Sequence, residues 1–251
     1  MGGIVLTTAD RLAVLPREFF GHPATEVAPG LLGCVLAHDS PQGRVAAVIV
    51  ETEAYAGQAD PASHAFRGRT ARNAVMFGPA GHAYVYFTYG MHFCVNLVCQ
   101  PEGEATAVLL RAGRVIEGAD LAAARRSGTS AASGPGRLAG PDGPPRPGAQ
   151  VRDLARGPAR LCRALGIDRS LDGADVCDPG SPLRICGPGQ EVPAAGISRG
   201  PRVGVSRAAE VEWRFWIAGD PCVSAYRSHQ ARRAVPKPVS GPGADGGTIH
   251  P

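Results

Sequence analysis

The sequence predicts an α/β protein of one domain, built on a sheet with hairpin connections. Three observations predict this. The run Val45–Val50 is apolar on both of its alternating faces, as a central strand covered on both sides requires. The apolar segments Ala28–Leu36 and Val45–Tyr55 meet across the turn Gln42-Gly43, and Phe93–Val98 and Ala105–Arg111 meet across Pro101-Glu-Gly-Glu104. Two further segments, Val115–Arg126 and Arg152–Gly166, have helical character. With 251 residues and 44% apolar content the chain can bury a substantial core.

Taken in order, residues 1–10 read as a frayed leader and Pro16–Phe20 as a short apolar anchor. Ala28–Leu36 begins as a helical turn at Pro29-Gly30 and runs into a strand. Val45–Tyr55 is the second strand of that hairpin, and Gly57–Asn73 is loop. Arg72–Phe77 is a short element stopped by Gly78-Pro79, and Ala83–Tyr89 is an aromatic-rich alternating strand. Ser127–Ala149 is a Gly/Ala/Pro/Ser tract without periodicity. It reads as a flexible insertion and not as a domain boundary. The chain beyond residue 149 holds one good helix and only short strands, at Leu183–Cys186, Arg202–Val205 and Trp213–Ala218, a thin basis for a second core. The domain is expected over 11–234, with 235–251 a disordered tail rich in Pro and Gly.

Charge and cysteine usage narrow the classes. The net charge is +4, and Lys237 is the single lysine; every other cation is Arg, whose forked donors suit phosphate. Seven cysteines, an odd number with no C-x-x-C, argue against a zinc or disulfide framework and for buried free thiols in a reducing compartment. No secretory leader is visible and no run is long enough to cross a bilayer. The chain is expected to be soluble, cytoplasmic and independent of membranes.

The chemistry concentrates between Val45 and Asn96. Period two puts Glu51 and Glu53 on one strand face, with Tyr55 next in line. A carboxylate closing a hydrophobic strand is desolvated and suited to general-base work. Glu53 is the candidate, and Glu51 is expected to be a solvated strand end. Four of the five tyrosines, Tyr55, Tyr84, Tyr86 and Tyr89, lie in this stretch. Aromatic clusters are ordinarily core, but this concentration favours stacking on a base. His64, His82 and His92 lack metal-ligand spacing, so no metal site is expected; His64 reads instead as a hydrogen-bonding pocket wall. Arg67, Arg69 and Arg72 form a basic loop read as a phosphate contact. Together these point to chemistry on a flat, electron-poor ring attached to a polyanion. Two other readings stand beside it: a non-catalytic module that stacks nucleic-acid bases, and a sugar hydrolase using Glu51 and Glu53. The second needs carboxyls about 5 Å apart across a bond, whereas same-strand neighbours point in parallel.

Val50-Glu-Thr-Glu-Ala-Tyr55, His64, Arg72-Asn73, Tyr84-Val-Tyr86, Tyr89-Gly-Met91, Phe93-Cys-Val-Asn96 and Val108-Leu-Leu-Arg111 resemble the alkyladenine (3-methyladenine) DNA glycosylases. Gly157–Leu165, Arg202–Val205 and Arg214-Phe-Trp216 continue the likeness in the family's order. The resemblance implies a compact α/β domain around a curved, mostly antiparallel sheet, with no metal or cofactor. It implies a monomeric base-flipping enzyme that acts on double-stranded DNA containing damaged purines. By position, Glu53 is the water-activating base and Arg111 helps to place it. Tyr55, His64 and Tyr86 wall the base pocket, Asn96 and Val203 shape it, and Tyr89 fills the gap left by the flipped nucleotide. Strand-cleaving glycosylases commonly use an amine. The single lysine lies in the tail, so a monofunctional enzyme without lyase activity is expected.

Overall fold

A computed structural model describes residues 12–88, 90–128 and 151–226. The leader, most of the tract at 127–149, Tyr89 and the tail lie outside these residues. The elements are α1 (Arg17–Phe20), α2 (Ala24–Gly30), β1 (Val35–Ser40), β2 (Gly43–Tyr55), β3 (Ala83–Thr88), β4 (His92–Cys99), β5 (Thr106–Glu117), α3 (Ala119–Ser127), α4 (Pro158–Leu165), β6 (Leu183–Cys186), β7 (Ile197–Gly200) and β8 (Arg214–Ile217). The eight strands form one open sheet in the order β3-β4-β5-β2-β1-β6, with β8 joining β2 and β7 joining β8. All of these pairings are antiparallel.

Strand β2 is the axis, as its two apolar faces require. Its first half pairs with β1, from Ser40↔Gly43 to Val35↔Val48; where β1 departs, β8 takes the same edge from Glu51↔Trp216 to Glu53↔Arg214. Strand β5 follows its other edge. One row of neighbours, Ala83, Leu97, Val108 and Ala54, is buried in the main core, together with Val85, Val95 and Leu110. Helix α2 seals this side, where the Ala28 carbonyl accepts the buried Thr52 hydroxyl at 2.9 Å. The adjacent row, Tyr84, Asn96, Leu109 and Glu53, carries the chemistry.

Four expectations need correction. Strand β5 continues to Glu117, and α3 starts only at Ala119. Val115 pairs with Ala47, and Gly118, at φ 71, breaks the strand and opens the helix. The second helix begins at Pro158 rather than Arg152. Gly157, at φ 114, precedes it, and Pro158 occupies the first turn, where its missing N–H costs nothing. Residues Arg202–Val205 are loop; the strand of this region is β7, which precedes them. Glu51 is no solvated strand end: it is 0% exposed. The seven cysteines are free thiols, and all but Cys177 are buried. No described helix is long and apolar enough to cross a membrane.

Candidate active site

A cavity of about 350 Å³ opens beside the chemical row and is lined by Tyr55, His64, Tyr84, Tyr86, Asn96, Arg111 and Val203, among others. Every pocket-wall residue expected from the sequence therefore borders one space. Tyr84 and Tyr86 stack with centroids 5.4 Å apart, and His64 meets Tyr86 edge-on at 4.5 Å. The His64 Nδ1 lies 3.3 Å from the Tyr84 hydroxyl. Burial in the pocket wall, then the Arg72 guanidinium, push the His64 pKa below its usual value. Burial raises the Tyr86 and Tyr84 hydroxyls, so both stay protonated and can donate.

Glu53 is fully buried behind the pocket wall, in contact with the lining residues Tyr55, Val203 and Arg111. Its Oε1 accepts the Val203 N–H at 2.7 Å and lies 3.1 Å from Arg111 Nη1. Its Oε2 accepts the Tyr55 hydroxyl at 2.8 Å. Burial, then the neighbouring Glu53, hold the Tyr55 hydroxyl well above the ordinary tyrosine range, so it serves as a donor. A carboxylate has about four lone-pair positions. These three donors leave one open, on Oε2.

Glu51 is held differently. Its Oε1 accepts Arg111 Nε at 2.7 Å, Arg214 Nε at 2.8 Å and the Ser224 hydroxyl at 2.9 Å. Its Oε2 accepts the Ser224 N–H at 2.7 Å. Burial alone would raise the Glu51 carboxyl, but Arg111 and Arg214 outweigh it and hold it below the usual range. Burial would likewise lower Arg111, but Glu53 and Glu51 hold it above its usual value and charged. One guanidinium thus joins both carboxylates. A backbone irregularity makes this possible: Val50 is an extra residue on β2 between Ile49↔Gly113 and Glu51↔Ala112, and Arg111 is an extra residue on β5 before Thr52↔Leu110. Bulges of this kind re-aim a side chain. With Glu51 enclosed by its partners, the two carboxylates do not flank an open space, and the sugar-hydrolase geometry is not met.

Comparison with known proteins bears on this arrangement. A model of the methylpurine-DNA glycosylase (MPG) family matches residues 18–221. The chain belongs to the methylpurine-DNA glycosylase family. A protein of Streptomyces avermitilis is 53% identical over 221 residues, which is 87% of this chain and 94% of that protein. One of Leifsonia xyli subsp. xyli is 48% identical, covering 88% of this chain and 96% of its own, and one of Methanocella arvoryzae is 44% identical, covering 85% and 96%. All three are provisionally named 3-methyladenine DNA glycosylases. The protein is a DNA glycosylase, a hydrolase of N-glycosyl bonds in DNA base excision repair.

Within this glycosylase, the basic loop divides. Arg67, Arg69 and Arg72 are all exposed, but Arg72 also donates to the Phe87 carbonyl at 3.0 Å and lies 5.9 Å from the Tyr86 ring centre. Tyr89 falls outside the described residues; its neighbour Thr88 borders the cavity. Residues given no role by the sequence do much of the holding. Buried Asn73 donates to the His64 and Gly68 carbonyls at 3.0 and 3.1 Å and accepts the Thr70 N–H at 2.6 Å, pinning the loop that carries His64. Asp60 accepts the Ala56 and Ala62 N–H groups at 3.3 and 3.0 Å and pairs with Arg202. Its place before Pro61 was the available signal, since Asp-Pro starts turns.

Proposed function

We propose that this glycosylase flips alkylated and deaminated purines out of double-stranded DNA and hydrolyses their N-glycosidic bond with a water activated by Glu53. The substrate class includes 3-methyladenine, the base in the relatives' names, with 7-methylguanine, hypoxanthine and ethenoadenine as candidate members. The observation that carries the reading is the buried Glu53 carboxylate, fixed by Tyr55, Val203 and Arg111, three residues that themselves line the aromatic pocket, with one acceptor position left unused. The relatives' names support the purine class.

A base inside a duplex cannot be reached, so the nucleotide must leave the stack, at about a few kcal/mol of unstacking. Tyr55, His64 and Tyr86 receive the base, Asn96 and Val203 shape its pocket, and Tyr89 fills the gap in the helix. Arg67, Arg69 and Arg72 contact phosphates. N-alkylated purines are cationic and favour aromatic faces. Water attacks C1′ and its proton passes to Glu53, while the glycosidic electron pair leaves with the purine. Arg111 orients the carboxylate, whose charge also stabilises the oxocarbenium-like sugar. An alkylated base departs as a neutral purine without protonation, whereas a neutral lesion needs a proton or hydrogen bond on its leaving ring.

The test uses duplexes carrying one defined lesion each, followed by alkali cleavage at the abasic product. The wild type releases 3-methyladenine, and Glu53→Gln loses release by at least about 100-fold, the scale of general-base loss, while still binding an abasic-analogue duplex. Borohydride added to the wild-type reaction traps no covalent adduct, as expected of a monofunctional enzyme. No release by the wild type, or full release by Glu53→Gln, would sink the reading.

A further inference from the structure

We infer that the buried Arg202–Asp60 pair is a positioning device for the excision site, holding the Tyr55 ring and the Val203 N–H in register with Glu53. The inference rests on the reading of Glu53 as the base. Arg202 is 1% exposed and Asp60 1%, and neither borders the cavity. The guanidinium grips the carboxylate with both ends of its fork, Nη1–Oδ2 at 2.5 Å and Nη2–Oδ1 at 3.0 Å. Nη1 also donates to the Ala54 carbonyl at 3.1 Å, on the residue between Glu53 and Tyr55. Nη2 reaches the Ala208 carbonyl at 3.5 Å, beyond the far side of the Val203 loop. The Cζ of the same group lies over the Tyr55 ring, 4.9 Å from its centre, and 5.2 Å from the centre of the Trp213 ring.

Stability alone does not account for this arrangement. A buried ion pair is often no more stabilising than apolar residues of the same volume. Here Arg202 Nε is, in addition, buried without an acceptor. What the pair does supply is geometry. Arg202 immediately precedes Val203, whose N–H lies 2.7 Å from Glu53 Oε1, and it backs the ring whose hydroxyl lies 2.8 Å from Oε2. Asp60, through its bonds to Ala56 and Ala62, adds the loop that leads to His64. Two of the three donors on Glu53 and one pocket wall are therefore referred to one buried fork. Lysine cannot replace it, because a point donor neither forks nor stacks.

Arg202→Lys and Asp60→Asn test this, singly and together, with single-turnover release from a 3-methyladenine duplex and binding to an abasic-analogue duplex. The expected result for each folded variant is a release rate constant lower by about 10- to 100-fold, the size that displaced reacting geometry costs, with duplex binding near wild type. The double variant loses far less than the product of the single losses, as residues acting as one unit require. A purely structural role would lower the folded fraction and leave the single-turnover rate constant unchanged. Folded variants that release base at the wild-type rate would overturn the inference. So would a slowing that follows duplex binding alone, or a set in which every variant unfolds, which would assign the pair to stability. Absence of release by the wild type is a separate outcome: it removes the glycosidic mechanism itself, and this inference with it.

Discussion

Glu51 and Glu53 are two residues apart, equally buried and joined to the same guanidinium, yet their other partners set them to different work. Glu51 is saturated by Arg111, Arg214 and Ser224. Glu53 retains an unused acceptor position on Oε2, behind the pocket wall formed by Tyr55, Val203 and Arg111. Removing the charge of Glu51 leaves Arg111 and Arg214 buried against a neutral amide. Breaking one side of such a buried cluster costs about 3–5 kcal/mol. Glu51→Gln is therefore expected to lower the unfolding free energy by that amount, read as a lower urea midpoint at unchanged slope; a loss under about 1 kcal/mol would show that the cluster contributes little to folding. The placement of Glu53 beside Tyr55 was legible in the sequence, because an apolar strand ending in a carboxylate next to a tyrosine is a local pattern. The burial of Glu51 was not legible, because Arg214 and Ser224 lie 163 and 173 residues further along the chain.

At the scale of elements, legibility followed the number of independent signals. Strand β2 has thirteen residues, two apolar faces and a turn before it, and its extent was clear. The end of β5 was not, since Val115-Ile116 fits a strand or a helix, and pairing with Ala47 decides it. Strand β7, four residues long, takes its order from β8 and had no pattern of its own. The paired irregularities at Val50 and Arg111 were invisible for a related reason: a bulge is a property of two strands together. Gly57 shows how an element places the pocket loop. It has φ +61, and a Cβ there would fall 2.4 Å from the Glu104 carbonyl oxygen in the β4–β5 turn. Gly57→Ala is expected to cost at least about 2 kcal/mol, from the left-handed backbone and the clash combined. Thermal unfolding measures the loss, and single-turnover release should fall with it as the loop toward His64 shifts. An alanine variant as stable as the wild type would show that the turn yields without strain.

At the scale of the whole molecule, ionisable groups with shifted pKa values tie stability to pH on the acid side. His38 is 6% exposed, and its Nδ1 lies 2.7 Å from the Leu165 carbonyl at the end of α4, which Arg125 also contacts at 2.7 Å. Burial lowers its pKa and Arg125 adds to this, against opposing contributions from the Leu165 carbonyl, Asp39 and Asp168. His64 is lowered as well, by partial desolvation of its ring in the pocket and by Arg72, but the residue is exposed, so water screens much of its contribution. For both, the unfolded chain takes up protons first as pH falls below about 6.5, so stability is fully present above that value and declines as pH drops through the folded pKa. Glu51, Asp39 and Asp175 are lowered carboxyls. Their stability is present above about pH 4 and is lost below it. Both sets therefore favour neutral over acid pH, and the decline on acidification should come in two stages. Urea unfolding at pH 8, 6, 5 and 3.5 resolves them. In His38→Gln the upper stage shrinks to the part owed to His64, and the lower stage is unchanged. Constant stability between pH 8 and 5, or an upper stage that His38→Gln leaves intact, would show that the buried imidazole does not govern it.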